Sequence, residues 1–225
     1  MIMSKSCLID TLALIRETGI VPVFYSPDVE LTRQLMKACY DGGIRAFEFT
    51  NRGEDALRVF EELVPFVRKN CPGMVLGAGT LLDAPTAAMY LQAGADFLVS
   101  PCMIEEVAAL ANRCGVPYCP GCGTVTEVVH AMEKGCLLVK LFPAGTIGGP
   151  AFVKNLLAPL PWAMLMATGS VEPVEENLQA WARAGVTAVG MGSKLFPEAV
   201  LKARDWESVT ALCKQSMAWF QSAKA

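Results

Sequence analysis

The chain has 225 residues, of which 53% are apolar and 18% are charged, and its formal net charge is −3. This balance gives no electrostatic reason to bind nucleic acid or an anionic membrane surface, so we expect a small molecule as the partner. The high apolar content predicts strands buried on both faces, as in a parallel sheet, and the length is typical of one α/β barrel.

No segment of the sequence predicts a membrane helix or an export signal. The longest uncharged run, residues 155–171, contains Pro159, Pro161 and Gly169 and is too short to span a bilayer. The nine cysteines are an odd number in a chain large enough to build a core, which favours reduced thiols over a disulfide framework. These features predict a cytoplasmic protein.

A glycine followed by a short β-rich run recurs along the chain. The runs begin at Gly19, Gly43, Gly73, Gly94, Gly115, Gly135 and Gly185. The last interval is long enough for one more unit, and "WAMLMATG", residues 162–169, supplies it without a leading glycine. Eight strands are therefore predicted.

Amphipathic stretches lie between these runs and often end at a glycine suited to a left-handed cap. Eight β-then-α units predict a (β/α)8 TIM barrel that forms a single domain over residues 1–225, with an extra N-terminal helix in residues 1–18 packed on the barrel. An open doubly wound sheet is the alternative architecture, but its Gly-x-Gly-x-x-Gly motif is missing. The four tryptophans are interpreted as packing residues.

One lysine stands alone in an apolar strand, "LLVKLFPA", where Lys140 lies five residues after its opening glycine. Glu48 in "AFEFTNR" holds the same position in its own unit, and the corresponding positions of the other glycine-led units carry no charge. Late strand positions lie near the C-terminal face, where such barrels keep their active sites. Strand alternation alone does not decide whether the two side chains point inward.

Two interpretations of this pair remain open. In the first, Lys140 and Glu48 form a buried ion pair, or their side chains point outward as two separate charges at the strand ends. Alternatively, apolar surroundings disfavour the charged form of an amine, and a neutral amine adds to a carbonyl to form a Schiff base. A neighbouring carboxylate then transfers the protons.

Several motifs occur in an order that identifies a family. They are "FEFTNR", "GAGT", "VSP", "PGCGTVTE", "VKLFPA", "ATGSVEP" and "VGMGS". From Gly19 to Phe196 the chain resembles the class I aldolases that cleave 2-keto-3-deoxy-6-phosphogluconate (KDPG) and 4-hydroxy-2-oxoglutarate (KHG). The resemblance implies pyruvate release through a Schiff base, a homotrimer, and no metal or other cofactor.

The resemblance also assigns roles to individual residues. Lys140 matches the Schiff-base lysine, and Glu48 matches the glutamate that transfers protons. The residues that match contacts of the bound keto acid are Arg52 and Thr80 at its carboxylate and Pro101 and Phe142 as apolar walls.

The loops after the seventh and eighth predicted strands are suited to a phosphate. They contain Thr168, Gly169 and Ser170 in one loop and Gly192 and Ser193 in the other, and small residues let backbone N–H groups approach an anion. Tight turns that require glycine are the alternative explanation, and the resemblance favours phosphate. Ser170 stands where the family commonly has glycine, and so does Cys102. Both departures bear on substrate choice.

Other readings of the sequence remain as alternatives. Residues 119–122, "CPGC", have the spacing of a thiol redox pair formed by Cys119 and Cys122. With Cys114, Cys136 and the single histidine, His130, they could also form a zinc site, although His130 is better interpreted as a solvated residue. A sugar-phosphate epimerase, a 2-keto-3-deoxy-6-phosphogalactonate aldolase and a non-catalytic binding module would share the barrel and its glycine loops.

Overall fold

The computed structural model describes residues 7–224 as a closed barrel of parallel strands. The parts of the domain prediction that concern residues 1–6 and residue 225 lie outside the described residues. The strands are β1 (Ile20–Phe24), β2 (Ala46–Thr50), β3 (Val75–Gly79), β4 (Phe97–Val99), β5 (Tyr118–Cys119), β6 (Gly121–Cys122), β7 (Leu138–Leu141), β8 (Met164–Thr168) and β9 (Ala188–Met191). Their order in the sheet is β5-β4-β3-β2-β1-β9-β8-β7-β6.

The two ends of this order, β5 and β6, are halves of one barrel strand interrupted at Pro120. Proline has no N–H to donate, so the ladder cannot run through it unbroken. Its carbonyl still accepts a hydrogen bond from the Lys140 N–H at 2.9 Å, which joins the strand to β7. The predicted eight-unit barrel is therefore confirmed, and its seventh and eighth strands are β8 and β9.

Ten helices accompany the strands within residues 7–224. They are α1 (Leu8–Thr18), α2 (Val29–Asp41), α3 (Ala56–Asn70), α4 (Ala84–Ala93), α5 (Glu105–Cys114), α6 (Val125–Glu133), α7 (Gly149–Leu157), α8 (Glu175–Ala184), α9 (Glu198–Ala203) and α10 (Trp206–Ser222). Local sequence sets their ends: Asp28 and Asp83 accept N-cap hydrogen bonds, and Thr124 with Glu127 forms a complete capping box. None of these helices is both long and apolar enough to cross a membrane.

Two separate apolar clusters account for the alternation along the strands. The larger cluster lies between the sheet and the surrounding helices and includes Phe47 and Val139. The smaller cluster fills the N-terminal part of the barrel interior and includes Ala46 and Leu138. Consecutive residues of a strand therefore point to opposite faces of the sheet, one toward the barrel interior and the next toward the helices.

Helix α1 closes the N-terminal end of the barrel. Its Leu12 and Ile15 belong to the interior cluster together with Val21 of β1 and Phe97 of β4. The first strand follows directly after Gly19, which caps the helix at φ 72°. This capping conformation favours glycine because it has no Cβ.

The tryptophans only partly follow the prediction that they are packing residues. Trp181 is fully buried on α8, but Trp162, just before β8, is 67% exposed. The prediction was wrong for Trp162 because the turn before β8 lies on the surface. The sequence around Trp162 does not reveal this exposure.

Candidate active site

Lys140 and Glu48 meet inside the barrel. Alternation places both on the inner face, since Leu138 and Ala46, two residues earlier on their strands, belong to the interior cluster. Lys140 Nζ lies 3.6 Å from Glu48 Oε1, and the two side chains are 7% and 1% exposed. Among residues 7–224, Glu48 Oε2 finds no hydrogen-bond partner, so the pair keeps an unused acceptor.

Glycines provide the space that these polar groups occupy. A Cβ at Gly79 would overlap the Glu48 carboxylate, and a Cβ at Gly190 would overlap Thr168 Oγ1. Gly121 lies in register with Lys140 on the neighbouring strand, and a side chain there would overlap the Pro101 carbonyl. The upper interior is therefore built from small residues around a few polar groups.

Phe142 forms an aromatic wall next to the lysine. The centroid of its ring lies 5.4 Å from Lys140 Nζ, within the range of a cation–π contact. Its backbone N–H donates to the Cys122 carbonyl at 3.1 Å, and its peptide bond to Pro143 is cis. The Pro101 carbonyl lies where a Cβ of Gly121 would project, and Gly121 is in register with Lys140 on the neighbouring strand.

Arg52 and Thr80 come together beyond the ends of β2 and β3. Arg52 Nε lies 3.4 Å from Thr80 Oγ1, a long hydrogen bond. Thr80 has φ 61°, a left-handed conformation that costs a β-branched residue about 1–2 kcal/mol. Such strain occurs most often at binding and catalytic sites, which agrees with the predicted contact of both residues with a carboxylate.

A pocket of about 590 Å³ opens at the C-terminal end of the strands. Seven predicted site residues line it: Arg52, Phe142, Thr168, Gly169, Ser170, Gly192 and Ser193. Lys140 and Glu48 lie one interior layer deeper, because Phe142 and Thr50, two residues further along their chains, line the wall. Thr80 and Pro101 do not line this pocket: Thr80 contacts Arg52, which does, and the carbonyl of Pro101 lies next to Gly121.

Other residues of the pocket wall had not been predicted. Phe24 ends β1 and Tyr25 follows it, and Phe24 makes an edge-to-face contact with Phe196 at 5.7 Å between ring centroids. Lys194 adds a positive charge directly after Ser193. The sequence could have indicated Lys194 as a site residue, because it directly follows a predicted phosphate loop.

The two glycine loops present free backbone donors. Within residues 7–224, the N–H groups of Ser170, Val171, Ser193 and Lys194 make no backbone hydrogen bond of their own. Ser170 has φ 60°, and its side chain occupies the space that a Cβ at Gly145 would need. The absent side chain at residue 145 thus accommodates the added side chain at residue 170.

The thiols of residues 119–122 do not face each other. Cys119 belongs to the interior cluster and Cys122 to the outer cluster, so they lie on opposite faces of the interrupted strand. Burial raises the pKa of the Cys119 thiol well above its usual value and that of Cys122 to about 12. Both effects disfavour the reactive thiolate, so the geometry gives no support to the redox alternative.

The residues of the alternative zinc site are not brought together either. Among residues 7–224, no group of three or more His, Cys, Asp or Glu side chains is arranged to hold a metal ion. His130 Nε2 lies 2.9 Å from Glu105 Oε1 on the surface, 41% exposed. A hydrogen bond from Lys134, and then one from His130, hold the pKa of Glu105 below its usual value.

Comparison with known proteins shows the family to which the chain is similar. The family model "KDPG and KHG aldolase" matches residues 11–212. A 2-dehydro-3-deoxy-phosphogluconate aldolase of Pseudoalteromonas atlantica is 32% identical over 96% of this chain and 98% of its own length. The aldolase of the same name from Treponema pallidum is 36% identical over 88% of this chain and 91% of its own.

Solved structures of similar proteins share the barrel. The KDPG aldolase of Zymomonas mobilis ZM4, solved with 3-phosphoglycerate, has a TM-score of 0.81 and 26% identity over 97% of this chain and all of its own. The KDPG aldolase of Legionella pneumophila, with pyruvate captured as a covalent carbinolamine, has a TM-score of 0.81 and 26% identity over 91% of this chain and 96% of its own. A porous cage designed by fusing symmetric oligomeric domains also matches, with a TM-score of 0.81 and 26% identity, over 92% of this chain and 73% of its own.

Proposed function

The chain belongs to the KDPG and KHG aldolase family, and we propose that it is a class I aldolase, a carbon–carbon lyase, that cleaves KDPG to pyruvate and glyceraldehyde 3-phosphate. The observation that carries the proposal is the buried contact of Lys140 with Glu48, 3.6 Å apart beneath an open pocket. A purely structural ion pair has no need of such a pocket above it.

The proposed reaction begins at the keto group of the substrate. Lys140 Nζ adds to C2, water leaves, and a protonated imine forms. Glu48 then accepts the proton of the C4 hydroxyl, the C3–C4 bond breaks, and the aldehyde departs while the electron pair becomes the enamine. Protonation of the enamine at C3 and hydrolysis of the imine release pyruvate and regenerate the free amine. The unpaired Glu48 Oε2 is a suitable acceptor for the hydroxyl proton.

Two further groups of residues fix the ends of the substrate in this proposal. Arg52 and Thr80 bind the carboxylate next to C2, because a guanidinium and a hydroxyl both donate to carboxylate oxygens. Phe142 and Pro101 exclude water from the imine. The loops of Thr168, Gly169 and Ser170 and of Gly192 and Ser193 bind the phosphate through their backbone N–H groups.

Trapping of the imine tests the chemistry. We expect pyruvate with borohydride to leave one reduced adduct on Lys140, identified by peptide mass analysis, because reduction fixes the imine at the nitrogen that formed it. A Lys37→Arg variant is the matched control, since Lys37 lies on the outside of the barrel, paired with Asp41, and its adduct should be unchanged. No adduct under conditions that trap a known class I aldolase would reject the proposed function.

Substrate comparison tests the phosphate end. We expect kcat/KM to fall at least about 30-fold when the phosphate of KDPG is removed, which corresponds to about 2 kcal/mol of charge-assisted hydrogen bonds. KHG, which would give pyruvate and glyoxylate, and the galactonate isomer of KDPG complete the series. Equal efficiency with and without phosphate would make the two loops simple turns and favour KHG as the substrate.

The oligomeric state and the cellular location are also proposals. We infer a cytoplasmic homotrimer, which rests on family resemblance and on the similarity to a domain used for its symmetric oligomeric state in a designed cage. Light scattering coupled to size-exclusion chromatography measures the mass of the assembly. A monomer at micromolar concentration would contradict it.

A further inference from the structure

An ion pair joins the two glycine loops at the rim of the pocket. Lys194 follows β9 and Glu172 follows β8, and Lys194 Nζ lies 3.1 Å from Glu172 Oε1. The side chains are 65% and 47% exposed. An ion pair this exposed contributes only about 0–1 kcal/mol, so another anion can replace one of its members.

Lys194 is placed to attract an anion into the pocket. Among the described residues that line the pocket, only Arg52 and Lys194 carry a positive charge, and Arg52 is engaged with Thr80 at the carboxylate end. The one acidic wall residue, Glu198, is paired with Lys202 at 2.6 Å. Lys194 is therefore the ammonium group nearest in sequence to the predicted phosphate loops.

Glu172 is held where it competes for this ammonium group. Its backbone N–H donates to Asn177 Oδ1 at 2.9 Å, which holds the backbone at this residue, while its half-exposed carboxylate contacts Lys194. Glu172 does not line the pocket, so it contacts Lys194 from outside. A phosphate bound between the loops would approach Lys194 from inside.

We propose that Lys194 is a specificity-determining residue for the phosphate end of the substrate, and that the phosphate displaces Glu172 from it. This inference rests on the proposed function, because it concerns the same pocket. Lys194 adds a full positive charge to the neutral N–H groups of the loops, and Glu172 lowers the affinity for phosphate by occupying Lys194 when no ligand is bound.

The alternative role of the pair is a cross-link that only holds the two loops together. The two roles predict different signs for two single variants. If the pair is a cross-link, Lys194→Gln and Glu172→Gln should both weaken phosphate binding. If Glu172 is a competitor, the two variants should change the affinity in opposite directions.

The experiment measures binding of inorganic phosphate by calorimetry, without turnover. We expect the Kd of Lys194→Gln to rise about 5- to 10-fold and that of Glu172→Gln to fall about 2- to 3-fold, the range for exposed charged groups. Both differences should shrink as ionic strength increases, because salt screens exposed charges. Lys37→Gln, which breaks the exposed Lys37–Asp41 pair on α2, is the control and should leave the Kd unchanged.

Kinetics supplies a second readout. In Lys194→Gln, KM for KDPG should rise more than KM for its unphosphorylated form. For KDPG, the change in kcat should be smaller than the change in KM. Changes of the same sign in both variants, or no change in Kd, would overturn the inference. A wild-type protein that fails to trap pyruvate would instead reject the proposed function, so the two failures are distinguishable.

Discussion

The lower and upper parts of the barrel interior are built from the same strands, and both are buried, but they differ in polarity and in their access to the pocket. The lower part is apolar and closed, with Leu138 and Ala46 in one cluster with Leu12 and Ile15 of helix α1. The upper part holds Lys140 and Glu48, each two residues further along the same two strands, among glycines and below an open pocket.

This difference shows how one barrel separates stability from chemistry. A strand carries one side chain to the interior at every second residue, so a single step changes the layer. Packed apolar groups below contribute folding free energy, whereas the buried charges above cost desolvation, which their mutual contact and the cation–π contact of Lys140 with Phe142 offset in part. Variants in the two layers should therefore produce opposite profiles of activity and stability.

The largest effect is expected at Lys140. Lys140→Arg should abolish both turnover and the borohydride adduct, because a guanidinium stays protonated and does not add to a carbonyl. The positive charge beside Glu48 is kept, so the protein should remain folded by circular dichroism. Turnover near the wild-type rate would be incompatible with a Schiff base at this residue.

The layer below should respond in the opposite way. Leu138→Ala removes a buried side chain on the same strand and should lower the free energy of unfolding by about 2–4 kcal/mol, measured by urea denaturation. The specific activity of the folded fraction should stay close to that of the wild type. Leu138→Met, which conserves volume, should cost less than about 1.5 kcal/mol. A loss of activity without a loss of stability would show that the layers are not separate.

Glu48→Gln tests the other member of the pair with little change in shape. We expect kcat to fall about 100-fold, the usual scale for loss of a general acid–base group, with thermal unfolding within a few degrees of the wild type. If the variant unfolds while its folded fraction keeps normal activity, the pair is a structural ion pair and the mechanism is wrong.

The smallest effect concerns the rim. Ser170→Gly relieves a left-handed conformation at φ 60° and should change stability by less than about 1 kcal/mol, since the extra freedom of glycine in the unfolded chain offsets part of the gain. Ser170→Ala keeps the conformation and removes the hydroxyl. Weaker phosphate binding in both variants would show that the hydroxyl binds the anion, whereas tighter binding in the glycine variant alone would show that the side chain narrows the loop.

The barrel could be predicted from sequence because each unit repeats the same local pattern. Gly-led apolar runs and amphipathic helices recur at short intervals, and each is sufficient to predict its own element. The break of the fifth strand at Pro120 was not predicted, since proline does not reveal that its two flanks pair with different neighbours. The exposure of Trp162 depends on the packing of distant elements, which no local pattern contains.

The site was predictable where charge conflicts with its surroundings. Lys140 and Glu48 stand out because they are charged residues in apolar strands. Their inward direction could not be predicted, since every residue of β2 is buried and apolar residues occur on both of its faces. Lys194 lies in a polar loop where a lysine is ordinary. The left-handed backbone conformation of Thr80 could not be predicted from the sequence either, because threonine rarely adopts it.

The contact between Gly79 and Glu48 has a consequence for the evolutionary history of such a barrel. A Cβ at residue 79 would overlap both the carboxylate and Cγ of Glu48, so glycine is required at residue 79 while glutamate, or a side chain of similar length in the same place, occupies residue 48. A lineage that replaced Glu48 by a residue without a Cγ would lose this overlap and could accept alanine at position 79. Restoring Glu48 would then be blocked until glycine returned, so loss of the acid–base group would act as an epistatic ratchet.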